Sequence, residues 1–293
     1  MRNKPTYSPL QLIFFGGMAS ASICSVSFKG SFVDCLVSFP LGAFLVTVQL
    51  LSVKNELYSN GFLVLCGSLE LSSRNMVSGA VRLCYALVYS LFLGFGLAIG
   101  AEVYEKITHH SVVGPEDNAC ALNHDPDVWW QSTPSLWWAF LSVPMFSLFL
   151  SLRNQAPWNR KEIVLLVVIS CIGWVTNHYA SLVFPNQSDI SSAVGAFAVG
   201  FVANVYGRVF KGNAFVVMIT GILFQVPSGL SNGGLFTFAE QSTSGQTNSY
   251  LSGFQTALQL VSVSLGLTVG LGISLVLVFP IQSRKRQAGV FSL

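Results

Sequence analysis

"LVLCGSLELSSRN", residues 63–75, decides how this chain is read. From Gly61 to Ser72 every residue is apolar or small except one, Glu70. A helix needs about 20 apolar residues to cross the hydrocarbon of a bilayer. This stretch has fewer, is interrupted by Gly67, and carries a carboxylate. It is a membrane-type segment too short to span, and the rest of the chain has to explain it.

The chain around it has the composition of a membrane protein. Of 293 residues, 52% are hydrophobic and 9% charged, and the mean hydropathy is +0.60. A soluble domain carries about 25% charged residues. The apolar runs are helix-length rather than alternations of about ten residues, and in lipid the backbone must satisfy its own hydrogen bonds, so the spans are helices. They fall at roughly 10–28, 32–53, 76–103, 136–153, 163–184, 190–208, 214–232 and 252–281, with 61–73 left over. The expected fold is an all-α polytopic integral membrane protein: about eight transmembrane helices plus one short broken or re-entrant segment, in two repeat-like halves. The expected domains are a first membrane domain over 1–107, a non-cytosolic loop over 108–135, and a second, five-helix membrane domain with a basic tail over 136–293.

Charge sets the orientation. Arg2, Lys4, Lys54, Arg74, Arg153, Arg160, Lys161, Arg208, Lys211 and the run Arg284–Arg286 fall on one side if 61–73 enters and leaves by the same face. The other side receives Lys29, Lys106 and the acidic loop. The positive-inside rule then makes both termini cytosolic and 61–73 a re-entrant or broken half-helix; which membrane holds the chain is left open. Trp129, Trp130, Trp137 and Trp138 form an aromatic belt at the loop's edge. The sequon at 186–188 lies too close to the membrane to favour glycosylation.

The two halves echo each other. "GFLVLCGSLELSSRNMVSG" (61–79) and "GILFQVPSGLSNGGLF" (221–236) are both apolar runs broken by small residues around a serine. In each half a Ser-Gly pair then opens a long helix with a glycine-rich end. Corresponding broken segments are a pointer to the substrate site of a secondary transporter. The candidate path residues are Ser68 and Glu70 in the first half and Pro227, Ser228, Gly229, Ser231 and Asn232 in the second. Asn177 and His178 join them, because polar groups in mid-span are costly in lipid. The plainer alternatives are that Glu70 is interfacial and pairs with Arg74 at i, i+4, and that Asn177 and His178 only hydrogen-bond between helices. Gly96–Gly100 and Gly266–Gly270 have the GxxxG spacing that would let a homo-oligomer form.

Other chemistries find little support. The six cysteines show no disulfide framework or metal spacing, and His109, His110 and His124 lie in a solvated loop, so no metal or cofactor is expected. No basic stripe suits nucleic acid, and no P-loop suits ATP. The expected partners are the lipid bilayer and a small-molecule substrate, with proton coupling through Glu70 as one option. An intramembrane serine protease built on "VPSG" and His178 is a remote alternative, since Val226 stands where such a motif has glycine.

At these residues a resemblance enters. "LVLCGSLELSSRNMVSGAVRLCYALVYSLFLGFG" resembles the fungal pheromone-regulated branch of the threonine/serine exporter family. "GGMASASICSVSFKGSFVDCLVSFPLGAFLVTVQLLSVKNELYSN" and "SSAVGAFAVGFVANVYGRVFKGNAFVVMITGILFQVPSG" are similar to other parts of the same family. The resemblance implies two membrane domains and export of small hydroxy amino acids. Two features depart from the family pattern. Few residues precede the first span, and Asn60 runs straight into Gly61 where the family carries a further helix. These departures imply an incomplete first domain, and with it the alternative of a non-transporting or degraded paralogue.

Overall fold

The computed structural model describes residues 6–27, 30–51, 60–72, 75–108, 128–132, 134–159, 162–184, 187–225 and 249–279. Among them the regular structure is helical throughout: α1 (Pro9–Ser27), α2 (Phe32–Leu51), α3 (Asn60–Ser72), α4 (Met76–Thr108), a 3-10 turn (Leu136–Trp138), α5 (Ala139–Arg153), α6 (Glu162–Val183), α7 (Ser188–Phe210), α8 (Ala214–Leu223) and α9 (Ser249–Val278). Six of these helices are long and apolar enough to cross a membrane by length and composition.

Local chemistry explains several starts. Before α1, Ser8 N donates to Gln11 Oε1 at 2.9 Å, Gln11 N donates to Ser8 Oγ at 3.4 Å, and Pro9 takes the first helical position. Ser31 and Asp34 make the equivalent box on α2, with Ser31 N donating to Asp34 Oδ2 at 2.7 Å. Asn213 caps α8 by accepting from Phe215 N at 3.0 Å. Most ends agree with the hydropathy pattern to within a few residues. The exception is the expected span over 214–232, because α8 stops at Leu223. The cause is local. Pro227 has no N–H for the Leu223 carbonyl four residues back, and its ring would crowd that carbonyl.

The packing is that of a protein in lipid. Leu36, Leu41 and Phe44 on α2, Val77 and Val81 on α4, and Val276 on α9 all point outward, more than half exposed. The helix contacts use small residues instead, which let backbones approach closely. Gly16 and Gly42 lie at the α1–α2 crossing, and Gly266 and Gly270 press on the α7 backbone at Asp189 and Ala193. By contrast, a Cβ on Gly96 or Gly100 would meet nothing within 4 Å.

The helices form two connected cores. One joins Leu69 of α3, Ala86 of α4, Ile169 of α6, Val199 of α7, Met218 and Ile222 of α8, and Leu267 of α9. The other joins Ala19 of α1 to Val143 and Phe146 of α5 and to Phe224 just beyond α8. The α1–α2 hairpin therefore docks on α5, whereas the α3–α4 hairpin docks on α9 and α8.

Hydrogen bonds show which ends share a face. Arg153 Nη2 donates to Gln49 Oε1 at 2.6 Å, Tyr7 Oη donates to Ala156 O at 2.8 Å, and Trp158 N donates to Tyr7 Oη at 3.0 Å. The start of α1, the end of α2 and the α5–α6 turn are together there. α6 leaves this face and α7 returns to it, where Arg208 Nη1 donates to Val278 O at the end of α9. We call it the basic face. At the opposite, tryptophan face, Val33 N donates to Trp130 O at 3.4 Å and the Phe32 and Trp129 rings lie 5.8 Å apart.

Candidate functional site

Among the described residues two α-helices are too short to cross a bilayer. α3 has 13 residues and α8 has 10, roughly 20 and 15 Å of rise. α8 starts beside the basic-face end of α7 and stops inside the bundle. α3 packs along α9 so that its own end, Ser72, lies beside Gly272, toward the end of α9 on the basic face. The two short helices touch and share one core through Leu69, Met218 and Ile222.

Around α3 the polar groups are ordered by tight packing. Gly67 and Gly79 face each other across the α3–α4 crossing, where a Cβ on Gly79 would lie 2.8 Å from the Gly67 carbonyl oxygen. That approach brings Glu70 Oε1 to 3.0 Å from Arg82 Nε of α4. The Glu70 side chain is 17% exposed and that of Arg82 36%. Ser68 is fully buried and donates to the Ser264 carbonyl of α9 at 3.2 Å. Charged groups amid apolar helices are costly unless paired or hydrated, which makes this pair a candidate for the site.

The end of α8 is the second constellation. Gln225 is fully buried; its Nε2 donates to Gly173 O of α6 at 2.9 Å and to Gly221 O at 3.3 Å. Asn177 Nδ2 donates to Phe224 O at 2.6 Å, and Ser192 Oγ of α7 donates to Gln225 O at 2.7 Å. Side chains from α6 and α7 thus take the place of the helix turn that Pro227 removes. The Gln225 amide lies between Gly173 and Gly195, and a Cβ on Gly195 would collide with it. Its Oε1 is buried and accepts no hydrogen bond, as is also true of Asn204 Oδ1 at the α7–α9 contact. One turn below, Ser170 Oγ donates to Thr220 Oγ1 at 2.8 Å and lies 2.8 Å from Ser147 Oγ.

The candidate residues from the sequence are thus distributed as follows. Ser68 and Glu70 lie together on α3, with Glu70 paired to Arg82; Arg74, the partner expected at i, i+4, lies outside the described residues. Asn177 reaches the end of α8, whereas His178 stacks on Trp174 with ring centroids 5.1 Å apart. Pro227, Ser228, Gly229, Ser231 and Asn232 lie outside the described residues. The charge map passed over Arg82, and the motif reading passed over Gln225, Ser170, Thr220 and Gly195. Arg82 and Gln225 were visible as polar residues inside apolar runs. The hydroxyls and the glycine were not, because serine, threonine and glycine are common in membrane helices. Among the described residues no group of His, Cys, Asp and Glu could hold a metal ion.

Helices faced with large apolar residues, small residues at their crossings, and two short polar-ended helices meeting inside define a polytopic integral membrane protein. Comparison with known proteins specifies the family. A Threonine/Serine exporter, ThrE, family model matches residues 136–277, and a second threonine/serine exporter model matches 60–104, together more than half of the chain. The chain belongs to the threonine/serine exporter family, a family of membrane transporters. It is 32% identical to pheromone-regulated membrane protein 10 of Candida albicans, over 100% of this chain and 30% of the relative. The relative of the same name in Pichia sorbitophila is also 32% identical, over 100% of this chain and 33% of the relative. The one in Saccharomyces cerevisiae is 29% identical, over 98% of this chain and 84% of the relative. The chain therefore spans about a third of the length of the first of these relatives. The Candida albicans match runs over 347 positions against 293 residues here, so that relative carries residues within the matched region that this chain lacks. No solved structure matches the chain.

Proposed function

We propose that the protein is a secondary transporter exporting small polar amino acids of the threonine/serine kind, with its substrate path where α3 and α8 meet. The observation that carries this reading is that two helices too short to span, one from each matched region, pack on one another in the bundle, where α8 ends at the buried Gln225. Transporters use such discontinuous helices to free backbone and side-chain groups at membrane depth. The Glu70–Arg82 pair offers a carboxylate to a substrate ammonium and a guanidinium to its carboxylate. The same carboxylate could carry a coupling proton. The basic face is cytosolic in this reading, in keeping with the positive-inside rule.

The test is flux of L-threonine and L-serine in proteoliposomes, with Glu70→Gln beside the wild type. The expected result is saturable flux that Glu70→Gln abolishes or sharply weakens. Equal flux from both would remove Glu70 from the mechanism. No flux from either would favour a second reading, a non-transporting paralogue, which the shorter matched region supports. No observation favours the protease alternative: Ser228 lies outside the described residues and His178 is engaged with Trp174 and Tyr179.

A further inference from the structure

A cavity of about 350 Å³ opens at the basic face between α5, α6 and α8. This lies in the lower part of the range for small-molecule sites, about 300–1,000 Å³. Asn154 and Pro157 of the α5–α6 turn form its rim, and Glu162, in the first turn of α6, adds a carboxylate. Ile163, Leu166, Val216 and Ile219 make the walls, and Ser151 and Thr220 contribute hydroxyls. Thr220 accepts from Ser170 and, among the described residues, donates no hydrogen bond, so its proton can turn to an acceptor in the cavity. The lining therefore matches a small amphipathic zwitterion: a donor for its carboxylate, a carboxylate for its ammonium, and apolar wall for its carbon skeleton.

The polar track does not end at Thr220. It continues inward between α6 and α8 through Ser170 and the Gly173 carbonyl to Gln225 and Asn177. Gly173 lies about 16 Å along α6 from Glu162, at 1.5 Å per residue. There the track is blocked by the Gln225 amide, seated in the crevice that Gly173 and Gly195 leave for it. The blocking group is held by two hydrogen bonds to carbonyls, and its oxygen has none. A buried acceptor without a donor weakens the seated arrangement, so a donor arriving from the cavity favours withdrawal of the amide.

We propose that this cavity is the vestibule of the translocation route on the basic face, that it binds a small zwitterionic amino acid, and that Gln225 closes its inner end. The proposal rests on the transporter reading for its purpose but has an independent readout. The full chain is reconstituted with Asn154→Cys, Ile219→Cys or Ser192→Cys. A membrane-impermeant methanethiosulfonate is then added from the basic face, and the otherwise wild-type chain sets the background from native cysteines. Asn154→Cys and Ile219→Cys should both react. L-Threonine at ten times its Kd leaves about one site in eleven free, so reaction at Ile219→Cys should slow about tenfold. Ser192→Cys, beyond the amide, should react only when Gln225→Ala or Gly195→Ala is added. The second substitution displaces the amide without deleting it, which guards against a variant that simply misfolds.

No reaction at Ile219→Cys while Asn154→Cys reacts would overturn the vestibule. Reaction at Ile219→Cys that L-threonine does not slow, in liposomes that still transport L-threonine, would overturn the binding. Reaction at Ser192→Cys with Gln225 and Gly195 both in place would overturn the closure. Protection without flux would leave the binding standing and sink the transport reading. Neither protection nor flux would sink both.

Discussion

Glu70 and Arg82 show how one pair can serve both structure and function. Removing one partner of a fully buried ion pair costs about 3–5 kcal/mol, whereas exposed pairs contribute about 1 kcal/mol or less. With 17% and 36% of the side chains exposed, the pair falls between these limits. Glu70→Gln alone should lower stability by about 1–2 kcal/mol, because the guanidinium keeps its charge without a counter-charge. Adding Arg82→Gln should restore most of the loss. Thermal unfolding in detergent across the double-mutant cycle measures the coupling, and additive losses would show that the pair is not energetically linked. Gly195 is a sharper case, since any Cβ there meets the Gln225 amide. Gly195→Ala should cost about 1–3 kcal/mol as overpacking, read as a lower unfolding midpoint. An unchanged midpoint would mean the amide moves aside freely.

Among the helices, α8 and α3 are short for different reasons. α8 ends where Pro227 makes the next helical bond impossible, and neighbours from α6 and α7 then supply donors to its last carbonyls. The break was visible in the sequence at Pro227. Its position four residues earlier followed only once that proline was counted back to the carbonyl it cannot serve. α3 is held in the bundle by its crossing with α4 at Gly67 and Gly79, and by Ser68 on α9. Gly79→Val should therefore separate α3 from α4, move Glu70 off Arg82 and lower the unfolding midpoint. Gly96→Val on the same helix α4, with nothing within 4 Å of its Cβ, should leave the midpoint unchanged. Equal midpoints for the two variants would deny that the α3–α4 crossing matters to the fold.

Across the molecule, two faces organise the chain. The contacts of Tyr7 with Ala156 and Trp158, and of Gln49 with Arg153, put the first helix start, the α2 end and the α5–α6 turn on one side. An impermeant thiol reagent should thus reach Asn154→Cys and Trp129→Cys from opposite sides of the membrane. In sealed membrane vesicles of known orientation Trp129→Cys and Asn118→Cys should react from the non-cytosolic side and Asn154→Cys only from the cytosolic side. Reaction of Asn154→Cys from the non-cytosolic side would reverse the orientation drawn from charge.

The amino-acid sequence determined the helices, because the length of an apolar run and the position of proline act locally and lipid forbids an unpaired backbone. It also marked Glu70, Asn177 and the region of Pro227 as out of place in lipid. Which groups meet was decided only by tertiary structure. Arg82 and Glu70 lie twelve residues apart, and nothing local says that Gly67 and Gly79 will bring them together. The α1–α2 hairpin docks on α5 and the α3–α4 hairpin on α9, which no run of hydropathy records. The seat of Gln225 depends on the absence of side chains at Gly173 and Gly195, on two different helices. Periodicity reports how each helix divides lipid from protein. It carries no information about which small residues will allow two backbones close enough for distant polar groups to bond.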